Sequence, residues 1–154
     1  MADLFPALAL GDCLDEAQAV ILPFKIVTSD ITKGQVVKVS SHVAGELGSI
    51  SVAGAGMKAT GVALKGGAVG DTIPVLLSGV VKVTGKGTIP IGSSVRSDID
   101  GVVSVAGVVV IIPPGTVAVT SDSAQPSMTV GAGIAFGVAL QTFADGDTGL
   151  IVVE

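Results

Sequence analysis

The amino-acid sequence predicts a single compact all-β domain of barrel-like form, with an internal hairpin repeat and an N-terminal arm. The prediction depends on glycine content, on β-branched apolar runs and on a repeated motif. The 154 residues include 22 glycines, and 49% of all residues are hydrophobic although only 3% are aromatic. Val, Ile and Thr dominate the apolar runs, and such residues favour strands over helices. A chain of this length builds one core rather than two.

A twelve-residue motif occurs twice, as GVALKGGAVGDT at residues 61–72 and as GVALQTFADGDT at residues 137–148, with eight identical positions. An apolar run follows each copy. Each copy predicts a β-hairpin in which GVAL is the incoming strand and the Gly-Asp pair turns into the outgoing strand. Glycine permits a positive φ there, and aspartate can bond to nearby backbone. The two hairpins are expected side by side or on opposite edges of one barrel.

Residues 1–24 differ in composition from residues 25–154 and predict an N-terminal arm before a β-rich domain. Leu and Ala replace Val and Gly in this first segment. A short helix from Asp12 to Val20, with Asp12 as N-cap, is one possibility, and an extended arm is the other. An apolar arm requires a partner surface to order it.

From Lys25 onward the sequence reads as strands and turns. The predicted segments are, in order, ITKGQVVKVS, SISVAGAGMKATGVAL, TIPVLLSGVVKVTG, the loop and strand GTIPIGSSVRSDIDG, VVSVAGVVVII as far as Pro113-Pro114, GTVAVTS, the polar loop DSAQPSM and the closing TVGAGIAFGVALQTFADGDTGLIVVE.

Charge is sparse, and its distribution excludes several classes of protein. Only 14% of residues are charged, so an apolar surface and obligate oligomerisation are expected. The net charge of −5 and the lack of aromatic platforms argue against nucleic-acid binding. Residues 101–121 are uncharged and long enough to span a membrane, but their diproline, glycines and valines favour strand–turn–strand. The acidic N-terminus lacks the basic residues of a secretory signal.

No constellation of residues predicts catalysis, a metal site or a cofactor. His42 is the only histidine, and Cys13 is the only cysteine and cannot form an internal disulfide. The segment GVVKVTGKGT does not match a phosphate-binding loop. The aspartate pairs in RSDIDG and ADGDTG lack the further oxygen ligands of a calcium loop and predict Asp-Gly turns instead.

Lys58 follows a methionine, Met57. The modified lysine of biotinyl and lipoyl carrier domains also follows a methionine, and those domains are also small Val/Gly-rich barrels with an internal repeat. The flanking residues differ from the carrier motif, and the second repeat reads GAGIAF without a lysine. A carrier or small ligand-binding barrel therefore remains the alternative reading, and an enzyme of unknown class is a further rival.

The order of motifs from residue 25 to residue 154 resembles the capsid cement, or head decoration, proteins of tailed bacteriophages. The resemblance is carried by Ile31-x-x-Gly34-x-x-Val37, ATGVAL at 59–64, GDTIPV at 70–75, SGVVKV at 78–83, IPIGSSV at 89–95 and the closing FGVAL…GDTGLIVV. It implies a β-tulip-like fold and a non-enzymatic virion protein, made in the host cytoplasm, on the outer surface of an icosahedral head. It further implies a homotrimer that bridges and stabilises major capsid proteins, with no cofactor, nucleic-acid or membrane partner.

Within this interpretation residues 1–24 are predicted to dock on the capsid by pairing with a free strand edge there, because main-chain hydrogen bonds then supply affinity. The candidate capsid-docking residues are five of the large apolar side chains of this segment: Leu4, Phe5, Leu8, Leu10 and Phe24.

Overall fold

The protein is described by a computed structural model that covers residues 8–14, 18–41, 47–106 and 134–154. These residues form ten β-strands and one 3₁₀ turn at Ile99–Gly101, so the all-β prediction is confirmed. The strands are β1 (Cys13–Leu14), β2 (Val20–Lys25), β3 (Val36–Ser41), β4 (Ser49–Val52), β5 (Gly61–Ala63), β6 (Thr72–Thr84), β7 (Ser94–Ser97), β8 (Val103–Val105), β9 (Gly137–Ala139) and β10 (Thr148–Val153).

The sheet is antiparallel and curls into a half-barrel around β6, which is 13 residues long. Its path runs β4-β3-β5-β6-β10-β9-β7-β8, while β1 and β2 pair with β6 off this path. Strand β6 thus carries four neighbours: β2 and β5 along residues 72–78, and β1 and β10 along residues 79–84.

Both copies of the repeated motif form the predicted hairpin, in the same register. Val62 pairs with Leu76 in the first hairpin, and Val138 pairs with Val152 in the second, 76 residues later at both positions. Gly70 and Gly146 have φ angles of 96° and 79°, the left-handed region that glycine adopts readily. In the strand order β5-β6-β10-β9 the outgoing strands of the two hairpins are neighbours, and β10 pairs with residues 79–84 of β6, beyond the residues 72–78 that face β5 and β2.

The hairpin repeat belongs to a larger internal duplication. We call β2 to β5 with residues 72–78 the N-terminal half, and residues 79–84 with β7 to β10 the C-terminal half. In the strand pairing, β2 corresponds to residues 79–84, β3 to β7, β4 to β8, β5 to β9, and residues 72–78 to β10.

Bonds outside the strands repeat as well, which extends the duplication to the loops. Matching pairs are Gly34 N to Ala63 O and Gly92 N to Ala139 O, both 2.8 Å; the Ile31–Gly67 and Ile89–Phe143 bridges; and the parallel Ile26–Ile50 and Gly85–Val103 bridges. The two halves differ most in the length of one connection. Residues 53–60 join β4 to β5, whereas residues 106–136 join β8 to β9, and residues 107–133 of this longer connection lie outside the described part.

The core consists of two clusters of buried apolar side chains. The smaller lies within the N-terminal half and includes Phe24, Ile50 and Val75. The larger contains the equivalent positions of the C-terminal half and also Val36, Val62 and Leu76 of the N-terminal half, so that it joins the two halves. Burying one such side chain contributes about 1.5–3 kcal/mol.

One core position is packed in two different ways. In the C-terminal half the Phe143 ring lies against Gly85 and Gly149, where an added Cβ would stand 2.5 and 2.1 Å from ring atoms. A large side chain from the loop therefore occupies space left by two glycines. The equivalent residues of the N-terminal half are, in the same order, Gly67, Ile26 and Ile73.

The N-terminal region is partly integrated into the sheet. Strand β2 crosses the predicted boundary at residues 24 and 25 and pairs with β6 from Val20 to Lys25. The helix considered between Asp12 and Val20 is not found where the chain is described, because Cys13 and Leu14 form β1 and residues 15–17 lie outside the described part. The assignment of separate roles to residues 1–24 and 25–154 stays a prediction.

The predicted strands GTVAVTS, the loop DSAQPSM and most of the uncharged stretch 101–121 lie outside the described residues. Within the described ranges no helix has both the length and the apolar character needed to cross a membrane.

The predicted Asp-Gly turns are confirmed. In the turn between β7 and β8, the Asp98 carboxylate accepts hydrogen bonds from Ile99 N–H at 2.7 Å and from Lys86 Nζ at 3.0 Å. Burial alone would raise the pKa of Asp98, but these hydrogen bonds outweigh it and hold that pKa below its ordinary value. At the other turn, Asp145 accepts from Gly87 N–H at 2.7 Å.

Replacing Gly61 or Gly137 by alanine should destabilise the fold by about 1–3 kcal/mol, the usual range for overpacking. A Cβ at Gly61 would lie 2.1 Å from the carbonyl oxygen of Leu76, and at Gly137 2.4 Å from that of Val152, so backbone itself must move. Urea unfolding measures the effect. Gly54→Ala is the control, because its Cβ would meet only Met57 at 3.5 Å, an ordinary contact. Equal stability of Gly61→Ala and Gly54→Ala would contradict the close approach.

Asp98→Asn should lower the free energy of unfolding at pH 7 by about 1 kcal/mol or more, because the charged acceptor for Lys86 is lost. Since the folded pKa of Asp98 is depressed, its contribution is present above the unfolded pKa of about 3.9 and is lost as the pH falls through the folded value. Urea titrations between pH 7 and pH 2 measure the difference. A constant gap between wild type and variant across this range would contradict the assignment, and a double-mutant cycle with Lys86→Gln isolates the pair.

Candidate functional site

Polar side chains in the core are bonded into the fold. The buried polar residues of the described chain are Ser51, Ser97, Asp98 and Ser104. The Ser97 hydroxyl lies 2.8 Å from the carbonyl oxygens of both Gly54 and Met57, and so ties β7 to the connection before β5. In the described ranges every buried side-chain nitrogen and oxygen has a partner, and no group of three His, Cys, Asp or Glu residues could hold a metal ion.

Lys58 is exposed in the connection between β4 and β5. These two strands are not neighbours, since both pair with β3 from opposite sides. Lys58 therefore lies in a connection that crosses over β3. Carrier domains present their lysine at the tip of a hairpin, which is a different position. His42 lies outside the described residues.

The most developed surface feature is the segment of residues 8–14, here called the N-terminal segment, which lies along the outer edge of β6. Cys13 pairs with Val81 and Leu14 with Val80. Gly11 N–H donates to Lys82 O at 2.7 Å, and Lys82 N–H donates to Asp12 O at 3.2 Å. The segment thus adds a short antiparallel strand to the C-terminal half.

The same segment also contacts the N-terminal half through Lys33 and Gly34. The Lys33 ammonium lies 2.5 Å from a carboxylate oxygen of Asp12, and Ala9 N–H donates to the other oxygen at 2.8 Å. The hydrogen bond from Lys33, followed by that from Ala9, holds the pKa of Asp12 below its ordinary value. Both groups remain partly exposed, so this ion pair orients the segment more than it stabilises the fold.

Glycines allow the segment to lie close to the sheet. Gly34 has a φ of 88° and is buried beneath Leu10, whose Cδ1 would stand 2.6 Å from an added Cβ. Beside this contact is a shallow pocket, and the residues that line it are Leu8, Gly11, Asp12, Cys13, Lys33 and Leu64.

The predicted docking residues fall into three different environments. Leu8 is half-buried, and Leu10 is 37% exposed at the surface of the N-terminal segment. Phe24 is only 6% exposed and packs in the smaller core cluster through its place in β2. Leu4 and Phe5 lie outside the described residues. The docking role of these residues stays a prediction.

Sequence reasoning missed the contribution of Lys33, Gly34 and Lys82 to this site. They lie 19 or more residues from the segment that they hold, and each resembles an ordinary turn or strand residue in the sequence. The pairing of Asp12 with Lys33 has no local sequence signature, because it joins two loops through the tertiary fold.

Many large apolar side chains are exposed, as the sparse charge predicts. Among the described residues they are Leu10, Val20, Leu22, Val39, Leu47, Met57, Val69, Ile91, Ile99, Val105, Ile134 and Leu140.

Comparison with known proteins gives a likeness at the level of fold. No protein-family model matches the chain, and no curated protein matches it in sequence. Among solved structures the chain is similar to the head fiber gp8.5 N base in bacteriophage phi29, with a TM-score of 0.57 and 17% sequence identity. The match covers 89% of this chain and 95% of that chain. At this identity the likeness shows a shared fold.

Asp12→Asn should loosen the N-terminal segment, because it removes the charge that binds Lys33 and retains an acceptor for Ala9 N–H. We expect the exchange protection of the Gly11 and Lys82 amides to fall several-fold, measured by hydrogen exchange. The pKa of Asp12 is depressed in the folded protein, so the extra protection of wild type should be complete at pH values above the ordinary pKa of aspartate. As the pH falls through the folded pKa of Asp12, wild-type protection should approach that of the variant.

Asp145→Asn is the control for this experiment, because Asp145 bonds to Gly87 in a different loop. Unchanged protection in Asp12→Asn, after correction for intrinsic exchange, would show that the backbone pairing alone holds the segment.

Proposed function

We propose that this protein is a structural component of a bacteriophage virion, bound to the outer surface of an icosahedral head. In this role it assembles as a homotrimer and bridges neighbouring major capsid proteins, which stabilises the shell. The observation that carries the proposal is the fold likeness, over 89% of the chain, to the base of a phage head fiber.

The surface composition supports a protein that works by contact. Only 14% of residues are charged, and large apolar side chains are exposed on several loops and edge strands. Where such side chains lie together on a surface, they mark sites of association in soluble proteins. A role in which the chain is covered by copies of itself and by capsid subunits accounts for such a surface.

We propose further that the role is non-catalytic. The buried serines and Asp98 are engaged in turns and cross-strand bonds, which assigns them to the architecture. The position of Lys58 does not support the carrier alternative, because Lys58 does not lie at the tip of a hairpin.

The N-terminal segment is the candidate contact with the capsid. Its Leu10 packs on Gly34 and is still 37% exposed, and the segment is held in an extended form by β6 and Lys33. A pre-ordered segment loses less conformational entropy on binding than a free one, and apolar anchors in such a segment supply the affinity. Residues 1–7, with Leu4 and Phe5, continue from it in sequence.

The test of function is co-sedimentation of the full chain with phage heads that lack it, together with the melting temperature of those heads. We expect the protein to pellet with the heads and to raise their melting temperature. Failure of the wild-type protein to bind would overturn the proposed function.

The docking role is tested by Leu10→Asp and by deletion of residues 1–7, both of which should weaken binding at least tenfold. A deletion through residue 24 is unsuitable, because it removes β2 and the buried Phe24. Leu47→Asp is the matched control, since Leu47 is an exposed leucine between β3 and β4. If Leu10→Asp and the deletion bind as well as wild type, the capsid contact lies elsewhere and the proposed function stands.

A further inference from the structure

The internal duplication creates two versions of one surface. Gly34 and Gly92 donate the equivalent hydrogen bonds to Ala63 O and Ala139 O. The residues beside each bond are therefore equivalent too, and they are Lys33 and Leu64 in the N-terminal half, and Ile91 and Leu140 in the C-terminal half.

The first version is covered by the chain itself. Leu10 lies on Gly34, Asp12 binds Lys33, and Leu64 shares a pocket with the N-terminal segment. As a result Gly34 is buried and Leu64 is half-buried.

The second version is uncovered in the described structure and is more apolar. Ile91 is 66% exposed and Leu140 is 41% exposed, while a Cβ on Gly92 would meet no atom within 4 Å. The second version has Ile91 where the first has Lys33. It therefore offers no positive charge to an acidic residue such as Asp12. This surface is suited to an apolar partner.

The N-terminal segment, which covers the first version of the surface, makes another contact in the chain. That contact indicates what could cover the second version. The N-terminal segment also pairs with the edge of residues 79–84 through Lys82. By the duplication, the equivalent edge belongs to β2, where Pro23 takes the place of Lys82. Among the described strands β2 pairs only with β6, and on it Val20 and Leu22 are exposed.

One chain therefore holds one completed site, made from the surface of its N-terminal half and the edge of its C-terminal half. Within the described residues it also holds two parts without a partner, which are the Ile91–Leu140 surface and the outer edge of β2 with Val20 and Leu22. We propose that these two parts meet between copies, so that the Ile91–Leu140 surface of one molecule contacts β2 of the next.

The contact joins the C-terminal half of one copy to the N-terminal half of the next, and such head-to-tail contacts close into rings when the rotation allows. Pro23 has no N–H to donate, so β2 contributes apolar side chains more than a hydrogen-bonded ladder. The lack of charge at Ile91, Leu140, Val20 and Leu22 matches the apolar centre of stable interfaces. The inference supplies the self-contact of the proposed homotrimer and rests on the proposed function in that respect alone.

The test is the solution mass, by light scattering, of wild type, Ile91→Asp and Val20→Asp. Wild type should be trimeric, and each variant should be monomeric with an unchanged far-ultraviolet circular dichroism spectrum. The control is Ile99→Asp, an isoleucine of similar exposure (55%) in the turn between β7 and β8, which should remain trimeric. A monomeric wild type, or an Ile91→Asp protein that keeps the wild-type mass, would overturn the inference.

Mixing the two variants tests the head-to-tail arrangement directly. Ile91→Asp retains an intact β2 edge and Val20→Asp retains an intact Ile91–Leu140 surface, so the mixture should form dimers with one of each. No association on mixing would overturn the pairing of these two surfaces. Should either aspartate variant unfold, Leu140→Lys and Leu22→Lys repeat the experiment at neighbouring positions. Head co-sedimentation of the monomeric variants is measured separately, so that loss of self-contact and loss of capsid binding are distinguished.

Discussion

The antiparallel ladder of β6 is the constraint on which the rest of the structure depends. Residues 72–78 complete the N-terminal half, and residues 79–84 begin the C-terminal half, so one strand serves both. The junction falls at Gly79, with a φ of 144°, beside the register shift between Val20 and Ile21. Because Leu76 and Val81 of this strand enter the same core cluster, neither half can lose its pairing with β6 without exposing apolar surface that the other half covers.

The two halves share a design, and the positions where they differ decide what each surface can bind. Lys82 donates and accepts hydrogen bonds with the N-terminal segment, whereas Pro23 at the equivalent place in β2 cannot donate one. Lys33 pairs with Asp12, whereas Ile91 cannot. The segment therefore selects one of two similar sites by one backbone donor and one charge. An edge strand with proline is also protected against unselective strand pairing.

The sequence predicted the all-β class and both hairpins because those features depend on backbone chemistry, which restricts the choice of residue. Gly61 and Gly137 both lie where backbone passes close to backbone, so both copies of the motif have glycine at this position. The larger duplication escaped prediction because core packing tolerates exchange: Phe143 with two glycines fills the space that two isoleucines and Gly67 fill in the other half. The burial of Phe24 in β2 could not be predicted, because an apolar run shows no buried face until its pairing partner on β6 is known.

The two associations proposed for this protein use separate surfaces. The N-terminal segment occupies the surface of the N-terminal half and leaves Leu10 partly exposed, while the Ile91–Leu140 surface lies in the C-terminal half. Contacts with the capsid and with other copies then use different side chains, and neither need compete with the other. A protein that bridges a shell requires this independence, because each molecule must hold its neighbours and the capsid at the same time. In the described part of the chain the duplicated half-barrel has two such surfaces, since one version is filled by the N-terminal segment and the equivalent version is uncovered.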